Sequence, residues 1–303
     1  MPRALRAPRR HKGLLVAVAA AAVAALALAP AAVADVLTPD HGGSPNADRI
    51  NTLYTVVLVL AAIIFVGVEG ALLYSMVKFR ARKGAVAAQI RGNTRLEVGW
   101  TIGAAAILVV LAGVTFALLP SIRDPENSDA NGFRASNGGI LYAAGPTKRL
   151  PPNGRSLNIC VNGQQYIWRY TYGTRCKDQP LNSVFSYEEM VVPTGTTVTL
   201  DIVAQDVAHS WWIPKLGGKF DAVPGYTNYT WFKIPHGMEG KIFRGQCAEL
   251  CGRNHANMVA HVRAVSPADF EQYLASKKAQ IEAADAAAAG SRAKLERNPQ
   301  GNP

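Results

Sequence analysis

Apolar residues along this 303-residue chain gather in three long blocks, then scatter into short alternating runs, and give way to an alanine-rich polar end. The first block, residues 14–28, follows Arg3, Arg6, Arg9, Arg10 and Lys12 and leads to Ala32-Val33-Ala34. That is the layout of a secretory signal, residues 1–34, cleaved before Asp35. The second and third blocks, 53–76 and 98–119, are each long enough to cross a hydrocarbon layer about 30 Å thick as a helix, so residues 35–120 are predicted to hold a two-helix membrane hairpin. Lys78, Arg80, Arg82, Lys83, Arg91 and Arg95 crowd the loop between them, with no acid before Glu97. The loop is therefore assigned to the cytoplasm and both mature termini to the outside.

From residue 157 the period changes. Val, Ile, Thr, Trp and Tyr recur in short runs broken by Gly, Pro and Asn, which predicts strands at 157–161, 165–172, 188–192, 197–204, 209–213, 229–234, 239–244 and 260–265. Seven or eight short strands imply an all-β domain over 157–267, a sandwich or Greek-key barrel. Residues 121–156, rich in Gly, Asn, Ser and Pro, read as a linker or excursion. The stretch 268–303 reads as a helical tail, amphipathic or partly frayed, with a loose end.

Charge changes this picture only by being divided. The whole chain carries +11, but from Arg123 onward 20 Lys and Arg face 16 Asp and Glu, which leaves +4 outside the membrane. No basic stripe with interleaved aromatics is present in the sequence, so nucleic acid is excluded as a partner. Two acids fall in the membrane blocks. Glu69 stands inside the first and Glu97 at the inner mouth of the second, where an ionisable group must meet protein, water or the interface. The hairpin thus reads as part of a larger membrane assembly, and Gly99-x-x-x-Gly103 gives its second helix a small face.

The chemistry lies in Cys247, Glu249, Cys251, His255 and Met258, with His209 upstream. Two thiolates, two imidazoles and a thioether form a soft donor set that suits copper, and two cysteines four apart can bridge two metal ions. The Glu249 carbonyl is available as a sixth donor. The residues alone leave other readings open: a zinc site of two cysteines and two histidines, a Cys247–Cys251 disulfide, or Met258 as core filler. Cys160 and Cys176 flank an aromatic run and, in an exported domain, suit a structural disulfide across a hairpin; two separate buried thiols or a second metal site are the alternatives.

Hairpin, aromatic strand and ligand loop occur in the order found in subunit II of the bacterial haem-copper cytochrome c oxidases, and the chain resembles that family over nearly all of its mature length. The resemblance implies a cupredoxin-like domain holding the binuclear copper A centre on His209, Cys247, Cys251, His255 and Met258, with the Glu249 carbonyl. It implies that the Glu249 carboxylate binds Mg2+ at the border with subunit I, a border that Asp221, in Lys219-Phe220-Asp221, helps order. Leu96-Glu97-Val98-Gly99-Trp100 is similar to the start of the family's second helix and puts Glu97 at the mouth of a proton pathway. The partners implied are subunit I, with its haem and copper B, subunit III, and cytochrome c or a membrane-bound or fused cytochrome as donor.

The chain departs from the family in one motif. Gly163-Gln164-Gln165 is followed by Tyr166, where the family has a tryptophan that receives the electron, and Trp168 stands two places on. One of these two rings is expected to lie exposed at the copper rim and to form the donor contact. No Cys-x-x-Cys-His occurs, so this chain binds no c-type haem. The rival readings, an exported copper-delivery or thiol-redox protein and a copper-free structural oxidase subunit, leave Met258 or the whole ligand set unexplained.

Overall fold

The structure, a computed structural model, describes residues 37–81, 84, 86, 88–133, 150–173, 176 and 183–297. The signal at 1–34, the middle of the 121–156 linker and the last residues of the tail lie outside the described residues. Two long helices come first, α1 (Pro45–Lys78) and α2 (Thr94–Arg123). Proline opens α1, where its missing N–H costs nothing. Asn93 caps α2: its side chain accepts from Leu96 N at 3.3 Å, while its own N–H donates to Glu97 Oε1 at 3.1 Å.

Both helices outrun their apolar blocks, because hydropathy marks only the part that faces lipid. The first turn of α1 is instead buried in the external domain, with Asn46 Nδ2 donating to Trp231 O at 2.7 Å and Ser44 Oγ accepting from Lys233 N at 3.0 Å. At the other helix, Trp231 Nε1 donates to Ile122 O at 2.9 Å. Arg49 adds a tie between the helices, donating to Ser121 O at 2.9 Å and pairing with Glu126 at 2.6 Å.

Ten strands follow: β1 (Leu157–Gln164), β2 (Ile167–Tyr172), β3 (Phe185–Tyr187), β4 (Glu189–Pro193), β5 (Thr197–Ala204), β6 (His209–Trp212), β7 (Phe220–Ala222), β8 (Asn228–Lys233), β9 (Ile242–Cys247) and β10 (Val259–Val265). They form two five-stranded sheets, ordered β3-β2-β1-β5-β8 and β4-β10-β9-β6-β7. The pairs β1–β5 and β4–β10 are parallel and the rest antiparallel, so both sheets are mixed. The arrangement is consistent with a cupredoxin-like fold. The expected alternative of a barrel is corrected: each sheet ends in its own edge strands, and no closed barrel forms among the described residues.

One core joins the two sheets. Val161, Trp168, Tyr170, Leu200 and Phe232 from the first meet Met190, Trp211, Phe243 and Val262 from the second. Trp211 stacks on Phe232 with centroids 6.3 Å apart, and its Nε1 donates to Tyr170 Oη at 3.3 Å. Burial of these aromatic surfaces, each 150–250 Å² by general proportion, is the main force holding the sheets face to face. Cys160 on β1 is disulfide-bonded to Cys176, with Cα atoms 5.0 Å apart.

The tail is a single helix, α3 (Pro267–Arg297). Ser266 caps it by accepting from Asp269 N at 3.1 Å. Phe270 is wholly buried, edge-on to Phe133 at 4.9 Å. Beyond Leu274 the helix is largely exposed.

Candidate metal centre

Strand pairing fixes the ligand loop at both ends. Cys247 closes β9 and Met258 immediately precedes β10, and Cys247 N donates to Met258 O at 2.8 Å across the neck. His209 opens β6, which pairs with β9 through Trp211 and Cys247, and Ala248 N donates to Ser210 O at 2.9 Å to fasten the loop onto that strand. Within the loop, Gly252 at φ +128°, a conformation that disfavours side chains, leads into a short 3-10 turn, His255–Asn257.

These turns bring the donors together. Cys247 Sγ lies 3.9 Å from Cys251 Sγ and 3.9 Å from His209 Nδ1, while Cys251 Sγ lies 3.6 Å from His255 Nδ1 and 3.9 Å from Met258 Sδ. The Cys247 thiol also meets the Glu249 carbonyl at 3.2 Å. His209, Cys247, Cys251 and Met258 are buried and His255 is half-buried. The sulfurs are free thiols, not a disulfide. Ligand atoms of His209, Cys247 and Cys251 all lie within 4.8 Å of one another, a cluster able to hold a metal ion.

Burial, reinforced by the neighbouring Cys247, pushes the Cys251 thiol up to about 11. A metal ion must therefore displace a proton to bind there.

Two further residues, given no role by the sequence alone, touch the donor cluster. Asp206 Oδ1 sits 2.9 Å from His209 Nε2, the ring nitrogen turned away from the sulfur. Burial works against its charge, but hydrogen bonds from His209, Gln165 and Val207 outweigh that and hold its carboxyl below the usual range. Gln165 links this carboxylate to the loop: its N–H donates to Asp206 Oδ2 at 2.6 Å and its Nε2 to Cys251 O at 2.6 Å. The Asp-x-x-His spacing was the available signal for Asp206; Gln165 belongs to the Gly163-Gln164-Gln165 motif, which gives it no contact of its own.

The two candidate rings part company. Tyr166 is half-buried, and a Cβ on Gly252 would stand 2.6 Å from its hydroxyl, so it rests on the ligand loop. Trp168 is wholly buried, with its ring 5.9 Å from that of His209. Of the two rings, one of which was expected to be exposed, Trp168 is not the exposed one. Tyr166 belongs to the turn before β2, so strand alternation does not put both rings on one face. Gly163 allows the close approach, since a Cβ there would meet Trp168 Cζ3 at 3.0 Å and His209 Cδ2 at 3.1 Å.

Glu249 and Asp221 have exposed side chains, Asp221 on β7 opposite Ser210. Glu97 is exposed in the first turn of α2, at the end of the hairpin away from the external domain.

Family descriptions match on both sides of the linker. Residues 34–118 match the cytochrome c oxidase subunit II transmembrane domain, and 177–265 match the periplasmic domain of the same subunit. The chain belongs to the cytochrome c oxidase subunit II family. It is 30% identical to a probable cytochrome c oxidase subunit 2 of Rickettsia bellii, over 77% of this chain and 81% of the relative. It is 28% identical to the subunit 2 of Cereibacter sphaeroides, over 86% of this chain and 87% of that one. The solved periplasmic domain of subunit II (CoxB) of Bradyrhizobium japonicum is 31% identical, covering 41% of this chain and 94% of that one, with a TM-score of 0.36. As a subunit II, the chain is a non-catalytic part of an oxygen-reducing cytochrome c oxidase. It crosses the membrane twice, carries its β domain on the extracytoplasmic side and works within a haem-copper oxidase complex.

Proposed function

We propose that this chain is the electron-receiving subunit of the oxidase and that its cupredoxin-like Greek-key domain holds a binuclear copper A centre. The observation that carries the reading is the pairing of donors: each sulfur has its own imidazole, His209 Nδ1 beside Cys247 and His255 Nδ1 beside Cys251. A zinc site would use two thiols and two imidazoles and leave a buried thioether unexplained, whereas the full soft set suits copper. His209, Cys247, Cys251, His255 and Met258 would hold the copper, which when bound would supply one-electron exchange.

The chain's residues do the rest. The β9–β10 neck fixes the spacing of Cys247 and Met258, Asp206 sets the tautomer and direction of His209, and Gln165 ties that carboxylate to the Cys251 backbone. Trp168 and the surrounding core exclude water from His209. Tyr166, half-buried against Gly252 of the ligand loop, would meet the donor, cytochrome c or a membrane-bound or fused cytochrome. Glu249 and Asp221 face outward, where the Glu249 carboxylate would hold Mg2+ against subunit I. Glu97 would open a proton pathway into that subunit, which bears haem and copper B and stands with subunit III in the complex.

Metal analysis and electron-spin resonance of the purified complex test this. Two copper ions in the extracytoplasmic domain of this chain, sharing one unpaired electron, are expected. A single copper, or zinc at full occupancy after growth with copper, would refute it.

A further inference from the structure

Glu69 places a carboxyl inside a membrane helix with no hydrogen-bond partner among the described residues. Its depth follows from Lys78, which hydrogen-bonds Tyr74 and lies 5.0 Å over its ring, as cationic and aromatic side chains do at a membrane surface. Nine residues separate Lys78 from Glu69, about 14 Å along a helix axis. That is close to the middle of a layer about 30 Å thick.

Its direction follows from Arg49, which faces α2 through Ser121 and Glu126. Half-buried Leu53, Val56 and Leu60 continue that stripe, and Asn51 and Leu58 are half-buried on the other side, so the outer half of α1 is covered on both faces. Glu69 comes twenty residues after Arg49, about five and a half helical turns, so it points to the opposite side. Ala62, Phe65, Leu73 and Met76 share its face by their i±4 and i±7 spacing. Residues 61–78 of α1 and 94–106 of α2 are exposed throughout, so the inner half of the hairpin does not cover itself.

We propose that the Glu69 face of α1 seats a transmembrane helix of the large haem-bearing subunit and that a side chain on that helix donates a hydrogen bond to the Glu69 carboxyl. Lipid chains offer no donor, and an unpartnered carboxyl in hydrocarbon is costly whether ionised or protonated. The same group is cheap once a donor stands opposite it. Glu69 then fixes which side of the hairpin docks, and does so at a depth where apolar surface alone gives little direction. This rests on the oxidase assembly proposed above.

The test uses the whole complex, purified through a tag on this chain, with haem per copper measured after detergent washing. Glu69→Leu is expected to lower retained haem at least tenfold with copper content unchanged, and Glu69→Gln, which still accepts a hydrogen bond, to retain it. A photo-crosslinking residue at Ala62 or Leu73 is expected to capture the haem-bearing subunit, while one at Leu53 or Val56 does not. Native haem retention in Glu69→Leu would overturn the inference, as would loss in Glu69→Gln or crosslinks at Ala62 and Leu73 that reach only lipid. A wild-type chain that retains no haem subunit would overturn the proposed assembly itself.

Discussion

Asp206 Oδ1 and His209 Nε2 stand 2.9 Å apart, so the imidazole that faces Cys247 with one nitrogen is held from behind by a carboxylate on the other. A ligating histidine held in this way loses 10–100-fold in metal affinity or activity when the partner is removed. Asp206→Ala is expected to weaken metal retention by that factor with the β domain still folded, as competition with a chelator would measure. The Asp206 carboxyl is held below its ordinary value of 3.8, so its stabilising contact persists above that pH. It is lost as acid titrates through the lower folded value. An Asp206→Asn chain should lack that part of the acid transition.

The two sulfurs differ from the thioether in what their loss should do. Cys247→Ser or Cys251→Ser removes one of the two sulfurs and is expected to abolish the shared-electron spectrum. Met258→Leu is expected to keep metal bound with a shifted potential. An unchanged spectrum in both cysteine variants would contradict bridging.

Tyr166 and Trp168 should separate by experiment as they do in space. Tyr166→Leu, at a half-buried position in the β1–β2 turn against the ligand loop, is expected to slow reduction by the native donor at least tenfold, about 1.4 kcal/mol of barrier, with stability little changed. Trp168→Ala leaves a cavity against His209 and is expected to lower unfolding free energy by about 3–5 kcal/mol. Stopped-flow reduction and denaturant titration distinguish these outcomes. A Tyr166→Leu variant reduced at the wild-type rate would place the donor contact elsewhere.

The metal-free chain should show an alkaline transition. Burial raises the Cys251 thiol from 9.0 to about 11, so the folded state holds its proton more tightly than the unfolded one. The resulting stabilisation is complete below pH 9 and is lost as pH rises toward 11. Denaturant midpoints measured across that range should fall in the wild-type apo chain, and this component should be missing from Cys251→Ser.

Much of this was legible in the residues because the signals were local. The apolar blocks located both membrane helices, and the strand expected at 197–204 coincides with β5. Two short strands, β3 and β7, were not expected: three residues each carry too little alternation to register. The ligand types and spacing announced a metal site, yet Gln165 joined it only through the fold, from 86 residues away in the chain. Trp168 was misjudged because alternation from Tyr166 assumed an unbroken strand, whereas β2 begins at Ile167.

The seating of Ser44 and Asn46 beneath β8 has a mechanical consequence. A domain hung on a loose tether samples many heights and tilts, and its redox centre would meet partners by diffusion. Here the polypeptide entering the bilayer is also a floor element of the globular part, clamped to Trp231 and Lys233. The hairpin therefore behaves as a stand of fixed height. A water-soluble fragment cut after Arg123 would lose that floor, so its melting temperature should fall below that of the external domain in the intact chain.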